Sequence, residues 1–219
     1  FAAALSAAML PVSGIMPDFT PAVYAASEGT VVRLNPSEAS PFNNGEFQGW
    51  GTSLCWWANR LGYSEKLTQQ AADAFFSEDG LGLDIARYNL GGGDDPTHNH
   101  VTRSDSKVPG VWSTFELTND GKDVNITYDI TKDQNQLNIA KAALNANPSL
   151  YFEGFSNSAP YFMTVTGCSS GGDPADSDNL NADMYDDFGK FIADATKLFK
   201  EQGIEFKSYS PMNEPDTNY

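Results

Sequence analysis

Near the end of the chain, Phe206-Lys207-Ser208-Tyr209 runs into Ser210-Pro211-Met212-Asn213-Glu214-Pro215, setting an amide and a carboxylate side by side just past an expected strand. A carboxylate so placed can serve as a catalytic acid, one that calls for a partner carboxylate. An amide precedes it, and Pro215 locks the turn. Such groups work when the strand ends of a parallel α/β sheet bring them to one rim and the following loops shape the cleft. Arg87 lies toward the end of an apolar stretch, Leu81 to Leu90, where a buried guanidinium needs an anionic partner, and Asn89 in the same segment is a further candidate to contact substrate.

Aromatic residues supply flat apolar faces for the C–H side of a pyranose. Gly49-Trp50-Gly51-Thr52-Ser53-Leu54-Cys55-Trp56-Trp57-Ala58 reads as a continuous apolar first strand. Alternation along it turns one of Trp56 and Trp57 to the rim and the other to the outer layer, and Trp56 is taken as the platform. Tyr161, in Pro160-Tyr161-Phe162-Met163, is the other aromatic candidate.

Strand and helix patterns alternate along the chain, which predicts an α/β fold with a parallel sheet. Helical spacing marks Leu67 to Phe76, Gln134 to Asn145 and Met184 to Gln202, while Leu81 to Leu90, Ser149 to Phe155 and Glu205 to Met212 read as the second, third and fourth strands. Gly91-Gly92-Gly93 is expected to open a flexible loop. Residues 97–129 and 156–183 are expected to be long polar loops on the same rim. Val31-Val32-Arg33-Leu34 followed by Asn43-Asn44-Gly45 predicts a short strand and turn, part of a linker or side β-domain over residues 27–48 that precedes the main domain at 49–219.

Lys and Arg total 13 against 29 for Asp and Glu, a formal charge of -16, which repels nucleic acid and anionic membrane surfaces. The apolar run Phe1 to Leu10 is too short to span a bilayer; with Val23-Tyr24-Ala25-Ala26 it predicts the remainder of an export signal over residues 1–26, and hence a secreted protein. The two cysteines, Cys55 and Cys168, form no metal or disulfide framework and are expected to be buried free thiols. Asp94, Asp95, His98 and His100 lack ligand spacing, and Asp176-Ser177-Asp178 lacks the glycine and terminal glutamate of a calcium loop, so no metal is expected.

Three motifs in order, Gly49 to Ala58, Arg87-Tyr88-Asn89-Leu90-Gly91-Gly92-Gly93 and Ser210 to Pro215, resemble glycoside hydrolase family 30, with the greatest likeness to its endo-β-1,6-galactanase-like group from about Phe47 onward. The resemblance implies a retaining mechanism in a (β/α)8 TIM barrel. Glu214 matches the general acid and then base, Asn213 the partner of the sugar's 2-hydroxyl, and Arg87 an arginine that favours the ionised form of a nucleophilic carboxylate about 5 Å from the acid. That nucleophile belongs to the seventh strand in the family, whereas four strands are expected here, so the chain reads as an N-terminal half-barrel, inactive alone and with unpaired sheet edges. The implied substrate is a neutral β-linked polysaccharide, foremost a β-1,6-galactan, with no cofactor and a monomeric full-length protein. Other activities of the family (β-1,6-glucanase, xylanase, glucosylceramidase-like) and a non-catalytic carbohydrate-binding protein are the alternatives.

Overall fold

A computed structural model describes residues 33, 35–38, 41–95, 97, 107–169, 171–172, 174 and 177–214. The chain divides into two units, Phe1–Phe47 and Gln48–Tyr219. In the first, the described residues form two single 3-10 turns, Pro36–Glu38 and Phe42–Gly45. Asn43 and Asn44 take φ of 52° and 57° there, as a turn built from Asn and Gly permits. The expected export signal, and Val31, Val32 and Leu34 of the expected strand, lie outside the described residues.

The second unit holds a sheet of four parallel strands in the order β1 (Gly51–Ser53), β2 (Ile85–Leu90), β5 (Tyr151–Ser156) and β6 (Phe206–Ser210). Neighbours in the sheet follow chain order, with helices between, which is the arrangement of the first half of a (β/α)8 barrel. The helices are α1 (Trp57–Leu61), α2 (Glu65–Phe76), α3 (Gln134–Ala146) and α4 (Tyr185–Glu201). Ser64 starts α2 by accepting a hydrogen bond from the Leu67 N–H at 3.4 Å. Gly203, at φ 84°, follows the end of α4. Along α4, Phe188, Phe191, Ala195 and Phe199 repeat at helical spacing and are buried. Phe199 meets Tyr88 of β2 at a ring separation of 4.6 Å and Phe206 of β6 at 5.3 Å, so one helix face ties two strands into the core.

Three expectations need correction. The run Gly49–Ala58 is not one strand: β1 is three residues long, and after Ser53 the chain turns into α1. A short apolar run does not distinguish a buried strand from a buried helix start. Trp57 therefore begins a helix, donating from Nε1 to the Ser53 carbonyl at 2.7 Å and packing 5.1 Å from the Phe75 ring of α2. Gly62, which follows α1, carries the close approach to α3: a Cβ there would meet the Asn135 carbonyl oxygen at 1.8 Å.

The segment 97–129 is not all loop. It holds an antiparallel hairpin of β3 (Trp112–Leu117) and β4 (Val124–Tyr128), with an irregular register between Trp112 and Thr114. The hairpin is pinned to α4, the Asp187 carboxylate accepting from the Val124 N–H at 3.1 Å and that of Asp194 from the Tyr128 hydroxyl at 3.4 Å. Its ring face packs on the one-turn helix Tyr161–Met163, Phe115 stacking on Phe162 at 4.0 Å. This packing also removes the expected flexibility of Gly91-Gly92-Gly93, all three of which are buried. A Cβ on Gly91 would meet the carbonyl oxygen of Val108 at 2.4 Å, and one on Gly92 that of Ala159 at 2.6 Å. Gly91 and Gly92 are there for close approach, not for motion, and Gly93 holds φ 70° beside the Trp112 ring.

Candidate active site

The carboxyl ends of the four parallel strands converge on an open cavity of about 330 Å³. Ser53 comes from the end of β1, Cys55 and Trp56 from the turn after it, Arg87 from β2, Phe155 and Asn157 from the end of β5, and Asn213 and Glu214 from the turn after β6. The Cys55–Trp56 peptide is cis. Trp56, the expected platform, reaches this cavity from a turn and not from a strand.

Arg87 is the electrostatic centre of the wall. Its Nε donates to Glu153 Oε1 at 2.8 Å, its guanidinium carbon lies 3.7 Å from the centroid of the Phe155 ring, and Nη1 and Nη2 each stand 3.4 Å from Asn213 Oδ1. Both side chains of the Arg87–Glu153 pair are about one-third exposed, at 32% and 33%. The partner is dictated by register, since Arg87 lies directly opposite Glu153 across the β2–β5 ladder. Sequence reasoning sought this partner on a later strand and missed Glu153. The available signal was an acid inside the otherwise uncharged strand Tyr151-Phe152-Glu153-Gly154-Phe155.

Glu214 is exposed at the rim, with φ 44°. A side chain other than glycine in this left-handed region costs about 1–2 kcal/mol, and such strain is held only where surrounding contacts fix the backbone. One such contact is the hydrogen bond from the Asn213 N–H to the Ser156 carbonyl, 3.1 Å long, which fastens the turn after β6 to the end of β5. Pro215, the next residue in the sequence, lies outside the described residues.

Asn89 is not on the cavity surface. At 1% exposure it is buried, donating from Nδ2 to Cys55 Sγ at 3.4 Å and accepting from the Asn157 N–H at 3.3 Å. Its side chain faces inward to structural partners, which corrects the expectation of a substrate contact. Tyr161 does not line the cavity either. It packs with Trp112, Phe115 and Phe162 under the hairpin, where burial, with Asp95 and Asp94 nearby, raises its phenol above the usual range. Burial pushes the Cys55 thiol up to about 12 against the lowering effects of Asn89 and Arg87, so it lines the cavity as a protonated group and not as a nucleophile. Cys55 and Cys168 are both free.

Among the described residues no group of three or more His, Cys, Asp or Glu side chains could hold a metal ion. Asp94 is instead engaged with Lys107 at 2.7 Å and Asp95 with the Thr97 N–H at 2.8 Å; His98, His100 and Asp176 lie outside the described residues. No described helix is long and apolar enough to cross a membrane.

Cavity and fold can be set beside known proteins. The sequence model described as O-Glycosyl hydrolase family 30 matches residues 31–219. An endo-β-1,6-galactanase from Hypocrea rufa is 27% identical over 225 residues, covering 94% of this chain and 44% of that protein. An exo-β-1,6-galactobiohydrolase from Bifidobacterium longum is 29% identical over 247 residues, covering 89% of this chain and 16% of that protein. The crystal structure of a conserved exported protein from Bacteroides fragilis superposes with a TM-score of 0.66 at 30% identity, over 80% of this chain and 35% of that one. The chain thus spans less than half the length of each of these relatives.

Proposed function

The chain belongs to O-glycosyl hydrolase family 30, and from that premise we propose that it is the acid/base half of a retaining, endo-acting hydrolase of β-1,6-linked galactan. The observation that carries the reading is the convergence of Glu214, Asn213, Arg87 and Trp56 on one cavity at the carboxyl ends of the parallel strands. Glu214 is the group that protonates the glycosidic oxygen and then deprotonates water. Asn213, whose Oδ1 is turned to Arg87, offers its Nδ2 to a sugar hydroxyl, a contact that strengthens as charge develops on the ring. Arg87, already oriented by Glu153 and Phe155, carries positive charge toward the place where a second carboxylate would attack the anomeric carbon. Trp56 supplies an apolar face beside it.

The galactan preference draws support from the two curated relatives, both named for β-1,6-galactose linkages. Secretion draws support from the sequence of residues 1–26 and from the exported Bacteroides protein. The expected result is that the full-length protein releases oligosaccharides from β-1,6-galactan at least tenfold faster than from β-1,6-glucan or xylan. Preference for glucan or xylan on chromatographic product analysis would overturn the substrate assignment while leaving the family intact.

A further inference from the structure

The Ser156–Asn157 peptide at the end of β5 is engaged on both edges. Its carbonyl accepts from the Asn213 N–H at 3.1 Å, and its N–H donates to Asn89 Oδ1 at 3.3 Å. A planar trans peptide cannot tilt one edge without tilting the other. Asn89 is itself immobilised from behind: Gln136 of α3 accepts from the Asn89 N–H at 3.1 Å and donates to the Asn89 carbonyl at 2.8 Å, and both residues are 1% exposed. Gln136 also donates to Asp133 Oδ2 at 2.8 Å, the acceptor of the Tyr88 hydroxyl at 2.7 Å.

We propose that Asn89 is a positioning residue for the acid/base turn, transmitting the fixed height of α3 through the Ser156–Asn157 peptide to Asn213 and hence to Glu214. The catalytic part of this proposal rests on the reading of Glu214 given above; the mechanical part does not. A buried amide that satisfies a backbone N–H just past the end of a neighbouring strand is costly to replace by an apolar group, because that N–H then loses its partner. The other bond of the side chain, to Cys55 Sγ, reaches a thiol, a weak acceptor.

The test uses the full-length protein with Asn89→Leu, Asn89→Asp and, should the leucine variant not fold, Asn89→Ala. Residue-resolved amide exchange is read at Asn213, with core amides of α3 as reference. Asn89→Leu or Asn89→Ala is expected to speed Asn213 exchange about tenfold relative to α3, whereas Asn89→Asp, which keeps the acceptor oxygen, stays within about threefold of wild type. In parallel, the apolar variants lower kcat about tenfold with KM within about twofold, and Asn89→Asp restores most of kcat. Unchanged Asn213 exchange in the apolar variants overturns the proposal. If exchange responds but Glu214→Gln keeps the wild-type rate, the positioning stands and the acid/base reading falls.

Discussion

Replacing Glu214 by Gln in the full-length protein is expected to lower kcat on β-1,6-galactan by about 10³-fold. Glutamine keeps the size of the side chain but has no proton to give to the leaving oxygen and no carboxylate to activate water. The defect should depend on the leaving group. A sugar alkoxide leaves poorly without a proton, so the polysaccharide suffers most, whereas a dinitrophenyl galactoside departs unaided and its first step stays near wild type. Azide should then restore turnover on the aryl substrate, because this small anion attacks the glycosyl intermediate without a general base and yields the β-galactosyl azide. The check is steady-state kinetics on both substrates with and without azide. Equal losses on the two substrates, with no response to azide, would assign Glu214 a role other than proton transfer.

A second large effect is expected from Asp133, behind the sheet. Its carboxyl is 1% exposed, Oδ2 accepts from Tyr88 and Gln136, and Oδ1 has no hydrogen-bond partner among the described residues. Burial outweighs the two hydrogen bonds and raises the group from 3.8 to about 7. Below pH 4 the carboxyl is neutral in both folded and unfolded chains, and its contribution to stability is fully present. Between pH 4 and 7 the unfolded chain has lost the proton and the folded chain keeps it, so each added pH unit costs about 1.4 kcal/mol; above pH 7 the loss is complete. Asp133→Asn removes this titration. Urea unfolding at pH 5 and pH 8 should show wild type losing on the order of 3 kcal/mol relative to the variant. Parallel stability profiles for the two proteins would mean that Asp133 is already ionised in the fold.

The parts of this fold that rest on long, regular periodicity were legible in the sequence. α4 announces itself through Phe188, Phe191, Ala195 and Phe199, and the parallel strands through apolar runs ending in chemistry-bearing residues. What was lost depended on local irregularity. The Trp56–Trp57 turn carries as much apolar character as a strand and so hid the start of α1. In β3 the register break between Trp112 and Thr114 spoils the alternation that would have marked a hairpin. The three glycines after β2 gave the composition of a flexible loop, whereas the reasons for them exist only in three dimensions: Gly91 and Gly92 pack against backbone, and Gly93 takes φ 70° against the Trp112 ring.

The site shows the same division. Residue type and strand-end position were enough to nominate Asn213, Glu214, Arg87 and Trp56, all of which line the cavity. Asn89 was misjudged because a strand-end amide has the same sequence signature whether it faces substrate or is buried between Cys55 and Asn157. Glu153 was missed because only the β2–β5 register sets it against Arg87.

The stereochemistry of hydrolysis is the most direct measurement of whether this rim belongs to a two-carboxylate retaining enzyme. With the full-length protein on β-1,6-galactan, proton NMR should show new reducing ends first as the β-anomer, with the α-anomer growing in later by mutarotation. New ends that appear first as the α-anomer would contradict the placement of Glu214 as acid and base of a retaining pair.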